Sequence, residues 1–548
     1  MNERTSTMQH TDADVPAAAA TTDLPATLTA ILSEHLSGQD VGPDDDFYAL
    51  GGDSLIALRV VASAQQQGIA MTLKDLLYYP TVRELAEHLS SSAVQPLPGT
   101  AQPAPGPAGG ESLLAAGDLA LVPAGVETAL PASALQVGII YLCETSGDPE
   151  LYHSVIGWET VAAFDEAVFR SALGRLCERH EALRTSFDLG TFSESVQLQW
   201  SGIELPLTIE QLPESDPAKA RELVGAWNEH GLQLPMDWSR APLFRCHVVA
   251  QPDSFHVAVA THHAVIDGWS YGRLIVDLLE LYAAGLKGEE ARLPELPAAG
   301  ERDFIVAERE LLASAEAADF WHQQADTPPL LFERGQFSGA ANAVAKAEFP
   351  LSDEVLRGLR VTARTARTSL KSVALAAHVR ALSEWTGRQE DLVTGVVVNT
   401  RPEQAGSDLM VGLYLNTVPL RFASLDESWA EMARQAFDLE REAGPYRAFP
   451  LAQIESRLER APFDTVFNFM DFHVYQDLPA AVGVETRSWW VRGKPSFPFR
   501  VDFEVDGTEA GSRVVVAYDP ALLEVRSVGQ YARHFESALA NAASQDVT

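Results

Sequence analysis

Thr261-His262-His263-Ala264-Val265-Ile266-Asp267-Gly268-Trp269-Ser270 joins a stretch that reads as a strand to one that reads as a helix. Before it, Phe255-His256-Val257-Ala258-Val259-Ala260 is short, apolar and β-branched, as a buried strand is. After it, Leu274, Ile275, Leu278, Leu281 and Tyr282 recur at helical spacing, and Ser270 is placed to accept that helix's first free backbone donors. Two histidines and a carboxylate therefore sit on a strand-to-helix connection, where a rigid scaffold commonly presents working residues. Adjacent residues of a strand point to opposite faces, so one histidine of the pair faces any given cavity. His263 is expected to face it, and His262 to turn inward and bond to backbone. An imidazole held in one tautomer is suited to moving protons near neutral pH. Asp267 can pair with a histidine or an arginine, and Gly268 leaves room for close approach of a substrate or backbone. No third ligand stands at zinc-like spacing, so no metal is expected.

The motif His-His-x-x-x-Asp-Gly-x-Ser resembles the core of nonribosomal peptide synthetase condensation domains, relatives of chloramphenicol acetyltransferase. Other stretches carry the same resemblance. Arg179-His180-Glu181-Ala182-Leu183-Arg184-Thr185-Ser186-Phe187 matches a second condensation signature at every fixed position. Val411-Gly412-Leu413-Tyr414-Leu415-Asn416-Thr417-Val418-Pro419-Leu420-Arg421 is similar to a third, with Tyr for the usual Phe and Leu for the usual Val. A further signature, usually Ser-x-Ala-Gln-x-Arg-x-Trp, survives as Ser133, Ala134 and Gln136, and the region around Asn468 matches loosely. The resemblance implies an α/β, V-shaped pair of acetyltransferase-like lobes with the His-His loop at their junction and a tunnel open at both ends. It implies His263, His262, Asp267 and Gly268 as the catalytic set. Arg184, Arg401 and Asn468 are the residues expected to support it.

Upstream, Asp44-Asp45-Asp46-Phe47-Tyr48-Ala49-Leu50-Gly51-Gly52-Asp53-Ser54-Leu55 leads into a helix marked by Ile56, Leu58, Val60 and Val61. A first amphipathic helix is expected from Leu24, Leu28, Ile31, Leu32 and His35, ending near Gly38. A last one follows the capping box Thr81-Val82-Arg83-Glu84. Ser54 stands at a helix N-terminus, where free N–H groups and the dipole favour a phosphate, although serine there also serves as a plain cap. The whole string resembles the attachment site of a peptidyl carrier protein, which implies 4′-phosphopantetheine on Ser54 of a small four-helix, all-α domain.

The order of domains follows. Residues 1–23 lack the apolar periodicity to fold, 24–92 form the carrier, and 93–125 are a Pro/Gly/Ala-rich linker. Residues 126–548 form the condensation domain, its N-lobe about 126–300 and its C-lobe about 301–548. The capping box Ser428-Trp429-Ala430-Glu431 opens another helix, and Phe499 to Val505 alternates as a strand facing Val514, Val516 and Tyr518.

Composition excludes other classes. A formal net charge of -36 argues against a nucleic-acid or anionic-membrane surface, which needs clustered Lys and Arg. The 3 cysteines, Cys143, Cys177 and Cys246, fit a reducing cytoplasm, and neither a signal peptide nor a membrane-length apolar run is visible. A cytoplasmic enzyme is expected that transfers a carrier-bound acyl group to an amine. Its partners would be an adenylation enzyme in trans, a phosphopantetheinyl transferase, and an acceptor carrier protein or free amine. The alternatives are an epimerization domain, which shares the fold and the His-His motif, and a non-catalytic recruitment domain of the same fold. Against the first, no Glu-Gly-His-Gly-Arg string occurs; against the second, the His-His motif is intact. A heterocyclization domain would have aspartates in place of both histidines.

Overall fold

The computed structural model describes residues 23–36, 40–50, 52, 54–91, 112–298, 300–328, 330–331, 344–404, 406–471, 485–494, 497–505 and 511–544. The tail to residue 22, Gly38, Gly51, Asp53 and residues 92–111 of the proline-rich segment lie outside these.

The N-terminal region is helical: α1 (Leu24–His35), α2 (Ser54–Gln66), α3 (Leu73–Tyr78) and α4 (Val82–Ser91). Each start has a local cause. Asp23 accepts from the Ala26 N–H with Pro25 in the first turn, and Thr72 and Asp75 form a capping box. Thr81 Oγ1 accepts from the Glu84 N–H, as the sequence predicts. Leu28, Ile31, Leu32, Val60, Val61, Leu76 and Leu85 meet around Phe47 in one core. Gly52 lies against the Phe47 ring so closely that a Cβ there would come within 2.4 Å of it. Only glycine fits that approach.

The second region is α/β with mixed sheets. Its helices are α5 (Ala134–Ser146), α6 (Glu166–Arg179), α7 (Pro217–Gln233), α8 (Gly268–Lys287), α9 (Glu301–Ala313), α10 (Ala315–Ala325), α11 (Asp353–Ala366), α12 (Leu370–Thr386), α13 (Trp429–Ala443), α14 (Leu451–Leu458) and α15 (Val525–Ala543). Its strands are β1 (Val126–Pro131), β2 (His153–Val161), β3 (Thr185–Asp188), β4 (Val196–Trp200), β5 (Leu207–Gln211), β6 (Phe244–Ala250), β7 (Phe255–His262), β8 (Ala345–Pro350), β9 (Glu390–Asn399), β10 (Leu415–Ser424), β11 (Val466–Asp471), β12 (Glu485–Gly493), β13 (Phe499–Val505) and β14 (Arg513–Tyr518). One sheet runs β12-β2-β7-β6-β5, a second runs β10-β9-β11-β13-β14-β8, and a small third runs β1-β4-β3. β7, central in the first sheet, is buried at seven of its eight residues, and its run Val257 to Ala260 is apolar without alternation.

Two expectations are met in detail. β13 pairs with β14 in the register Phe499↔Tyr518, Val501↔Val516, Phe503↔Val514. The Ser428/Glu431 capping box opens α13. Ser352 and Ser369 cap α11 and α12, and Gly387 ends α12 in the left-handed conformation.

Two features depart from the sequence reading. β12 comes from the segment assigned to the second lobe, yet it pairs with β2 of the first sheet, so the chain crosses back. The α8 cap is Asp267, which accepts from the Ser270 N–H, and Ser270 lies inside the first turn. A carboxylate is the stronger acceptor at a helix N-terminus, and taking that place frees the Ser270 hydroxyl for other partners.

Candidate active site

The antiparallel pairing of β2 with β7 fixes which way each histidine looks. His153 lies opposite His262 and Ser154 opposite Thr261, so the two sets project to opposite faces of the sheet. His262 is fully buried, with its ring 4.8 Å from the His153 ring and 4.5 Å from that of Trp238. Its Nδ1 accepts from the Ala264 N–H at 3.1 Å, and Nε2 lies 3.5 Å from Cys143 Sγ. Burial, then the neighbouring His153 and His263, hold it well below the ordinary imidazole range. This is the inward-turned, backbone-bonded histidine that the sequence predicts.

His263 looks the other way and is partly open. Its Nδ1 lies 3.0 Å from Ile266 O, and Ser154 Oγ lies 3.0 Å from its Nε2. A carbonyl only accepts, so the proton is on Nδ1 and Nε2 offers its lone pair. Burial lowers the His263 pKa; the bond to Ile266 O and the Asp267 charge raise it, and Arg500 lowers it again. The net shift is downward. The ring is therefore neutral at physiological pH, a base with its acceptor nitrogen turned toward Ser154.

Asp267 does not touch either histidine ring. Its carboxylate takes Arg401 Nη1 at 2.9 Å and Nη2 at 3.0 Å, the Ser270 N–H and hydroxyl at 2.8 Å each, and the Tyr414 N–H at 3.0 Å. Both partners are almost fully buried, and the guanidinium also lies 4.9 Å over the Tyr414 ring. Burial would raise the Asp267 carboxyl, but the Arg401 charge and the hydrogen bonds from Arg401 and Ser270 outweigh it and hold it below the usual carboxylate range. Since Arg401 follows β9 and Asp267 follows β7, this ion pair ties the two large sheets together beneath the histidine loop. Of the two partners the sequence allows Asp267, the structure selects arginine. Gly268 opens α8 at an exposed position, with nothing near enough to meet a Cβ.

The remaining expected supports lie elsewhere. Arg184 donates to Cys177 O, Glu127 and Trp200 O, joining α6 to β1 and β4 and leaving the 262–270 loop untouched. Its neighbours in the same motif do the bracing: Arg179 and His180 both bond Asp277 of α8, at 3.0 and 2.8 Å, and Arg273 joins them. Asn468 donates to Asp502 at 2.9 Å, and Asp502 also takes Arg500, whose charge reaches His263. The sequence gives Ser154, Arg500 and Asp277 no motif of their own, and Tyr271 only a place in the condensation-like string Asp267-Gly268-Trp269-Ser270-Tyr271-Gly272; pairing alone brings Ser154 to the site. Among the described residues no group of three or more His, Cys, Asp or Glu could hold a metal ion.

The helical N-terminal region rests on the same neighbourhood. Arg59 of α2 donates to Asp408 at 3.0 Å and lies 5.9 Å over the ring of Trp269, whose own indole N–H donates to Asp408 O at 2.9 Å. Tyr48 packs edge-on against Phe437 of α13 at 5.2 Å, and Arg441 lies 5.2 Å over Tyr78. Trp269 follows directly on the Asp267-Gly268 pair.

A phosphopantetheine attachment site model matches residues 26–89, and a condensation domain model matches residues 126–546. The chain belongs to the condensation domain family. The condensation domain and its carrier are together 36% identical over 516 residues to AMB antimetabolite synthetase AmbE of Pseudomonas aeruginosa, covering 92% of this chain and 24% of that protein. Surfactin synthase subunit 1 of Bacillus subtilis is 24% identical over 526 residues, covering 93% of this chain and 14% of that protein. The chain thus spans about a quarter or less of these relatives. Among solved structures, the starter condensation domain of rhizomide synthetase superposes with a TM-score of 0.64 at 17% identity, over 76% of this chain and 95% of that one. The first condensation domain of the calcium-dependent antibiotic synthetase gives 0.63 at 18%, over 77% and 98%. The condensation domain therefore has the chloramphenicol acetyltransferase-like fold, next to a carrier that takes 4′-phosphopantetheine. Ser54 opens the 13-residue helix α2, whose free N–H groups and dipole suit a phosphodiester. Bound there, the cofactor would supply a thiol on a flexible arm. No helix among the described residues is long and apolar enough to cross a membrane.

Proposed function

We propose that this chain joins the acyl group borne by its own carrier to an incoming amine, with His263 as the group that positions and deprotonates that amine. The observation carrying this reading is the tautomer of His263: neutral, Nδ1 committed to Ile266 O, Nε2 left as an acceptor that meets Ser154 Oγ. Holding amine and thioester side by side supplies much of the acceleration, and proton transfer adds to it. Asp267 and Arg401 hold the loop and touch no substrate, while His262 is packed scaffold. The carrier's seating on Trp269 and Asp408 supports delivery from Ser54 as the donor side. In this reading the carrier is a four-helix domain at 24–92, residues 93–125 are its tether, and 126–548 form a V-shaped pair of lobes. An adenylation enzyme acting in trans loads the carrier after a phosphopantetheinyl transferase has modified it, and the acceptor is a second carrier or a free amine.

The test loads the protein with an aminoacyl group and follows it by intact mass in heavy water. His263-dependent transfer to an added amine, with no deuterium at the α-carbon, is expected, and His263→Ala should lower transfer about 100-fold to 10,000-fold. Deuterium at the α-carbon with no acceptor acylated would assign epimerization instead.

A further inference from the structure

The register Ser154↔Thr261 sets Ser154, Thr261 and His263 on one face, and Tyr271, in the first turn of α8, closes over them. The Tyr271 hydroxyl lies 2.6 Å from Thr261 Oγ1, with Ser154 beside it. Ser154 Oγ in turn lies 3.0 Å from His263 Nε2. With the His263 proton committed to Ile266 O, Ser154 is the donor in that bond. β12 closes another side of the hydroxyl: a Cβ on Gly493 would lie 2.8 Å from Ser154 Oγ. Ser154, Thr261 and Tyr271 are at most 4% exposed, so this is a buried row of hydroxyls ending on the imidazole. Buried hydroxyls in a connected row hold one another's geometry. The nitrogen that has to take the amine proton is thus already engaged by a serine.

We propose that Ser154 carries the proton in this reaction, passing its hydroxyl proton to His263 Nε2 as it takes one from the attacking amine, with Tyr271 and Thr261 holding it in line. The inference rests on the reading that an amine attacks an acyl thioester beside His263. In the step, the C–N bond forms and the C–S bond of the thioester substrate breaks. The amine proton goes to Ser154 Oγ, the serine proton goes to Nε2, and the imidazolium returns a proton to the thiolate leaving group.

Single-turnover transfer from the loaded full chain to a free amine tests this across mixtures of light and heavy water. The wild type should give a curved dependence, since two protons move together. Ser154→Ala should slow transfer about 100-fold, the lower end of what a positioned proton-transfer group contributes. Its dependence should become linear, with melting unchanged. Ser154→Thr, which keeps the hydroxyl, should restore the curvature wherever it melts like the wild type. Tyr271→Phe, which removes only the outer support, should lose less activity than Ser154→Ala. Nitrogen NMR of histidine-labelled protein provides a readout apart from turnover: the unprotonated Nε2 signal of His263 should shift in Ser154→Ala. A wild-type rate and an unchanged Nε2 signal in Ser154→Ala, alongside a His263→Ala variant that has lost transfer, overturn the relay and leave the condensation reading standing. Transfer indifferent to both substitutions overturns that reading as well. An acyl group found on Ser154 by fragmentation also overturns the relay, because the serine would then be a nucleophile.

Discussion

Asp267→Ala removes one partner of a buried ion pair and a helix cap at once. The carboxylate takes five hydrogen bonds, two of them from Arg401, and both charged residues are at most 1% exposed. Without it, Arg401 keeps Ser270 Oγ, Met410 O and Asn399 Oδ1 but no carboxylate bonded to it. Stranding one charge of a buried pair costs about 3–5 kcal/mol, and losing the cap of α8 adds about 1 kcal/mol. The two terms share Ser270 and do not add in full, so about 4–5 kcal/mol is expected. For a lobe of this size each kcal/mol moves Tm by about 2–4 °C, which gives a fall of roughly 8–20 °C. Arg401→Ala should fall comparably, and the double variant by far less than the sum. Asp267→Asn, which can still cap α8, should lie between Asp267→Ala and the wild type. Thermal melting of the holo-protein, paired with single-turnover transfer, makes the measurement. If Asp267→Ala melts within about 2 °C of the wild type while transfer is lost, the residue belongs to the chemistry and the clamp argument fails.

Ser54→Ala should abolish phosphopantetheine attachment on intact mass while costing no more than about 1 kcal/mol of stability, the usual bound for a serine lost at a helix start. Arg59→Glu should slow transfer from the chain's own carrier about 5-fold, the equivalent of ~1 kcal/mol for a partly exposed pair, and leave transfer from a soluble acyl thioester unchanged. Restoration by the further change Asp408→Arg would show that the pair acts directly. Burial pushes the fully buried His378, bonded to Tyr531 and Thr394, down to about 3 from 6.5. The unfolded chain therefore binds a proton that the native one refuses: this contribution to stability is complete above 6.5 and is lost as pH falls toward 3. The slope reaches about 1.4 kcal/mol per pH unit, so denaturant titrations of His378→Gln should show a flatter acid limb than the wild type.

The sequence alone determined what is carried by short-range order. Apolar spacing and cap residues marked α1, α4 and α13, because a helix is decided by neighbours three and four residues apart. Strand alternation marked β13 against β14, and the step from one strand residue to the next separated an inward His262 from an outward His263. The motif lengths around Ser54 and His263 were enough to name both domains. Tertiary structure decided the rest. Asp267 had two kinds of partner open to it, and burial across two sheets chose Arg401, 134 residues away. Arg184 belongs to a motif that reads as a brace, yet Arg179 and His180 make the bond to α8, since the end of α6 turns them toward Asp277. Ser154 carries no local mark at all: it reaches Nε2 because of a pairing register between strands about a hundred residues apart, and a one-residue slip would send it to the other face. The same holds for β12 joining the first sheet and for Arg59 meeting Asp408. Such contacts depend on which surfaces are buried together, and no local period in the chain encodes that.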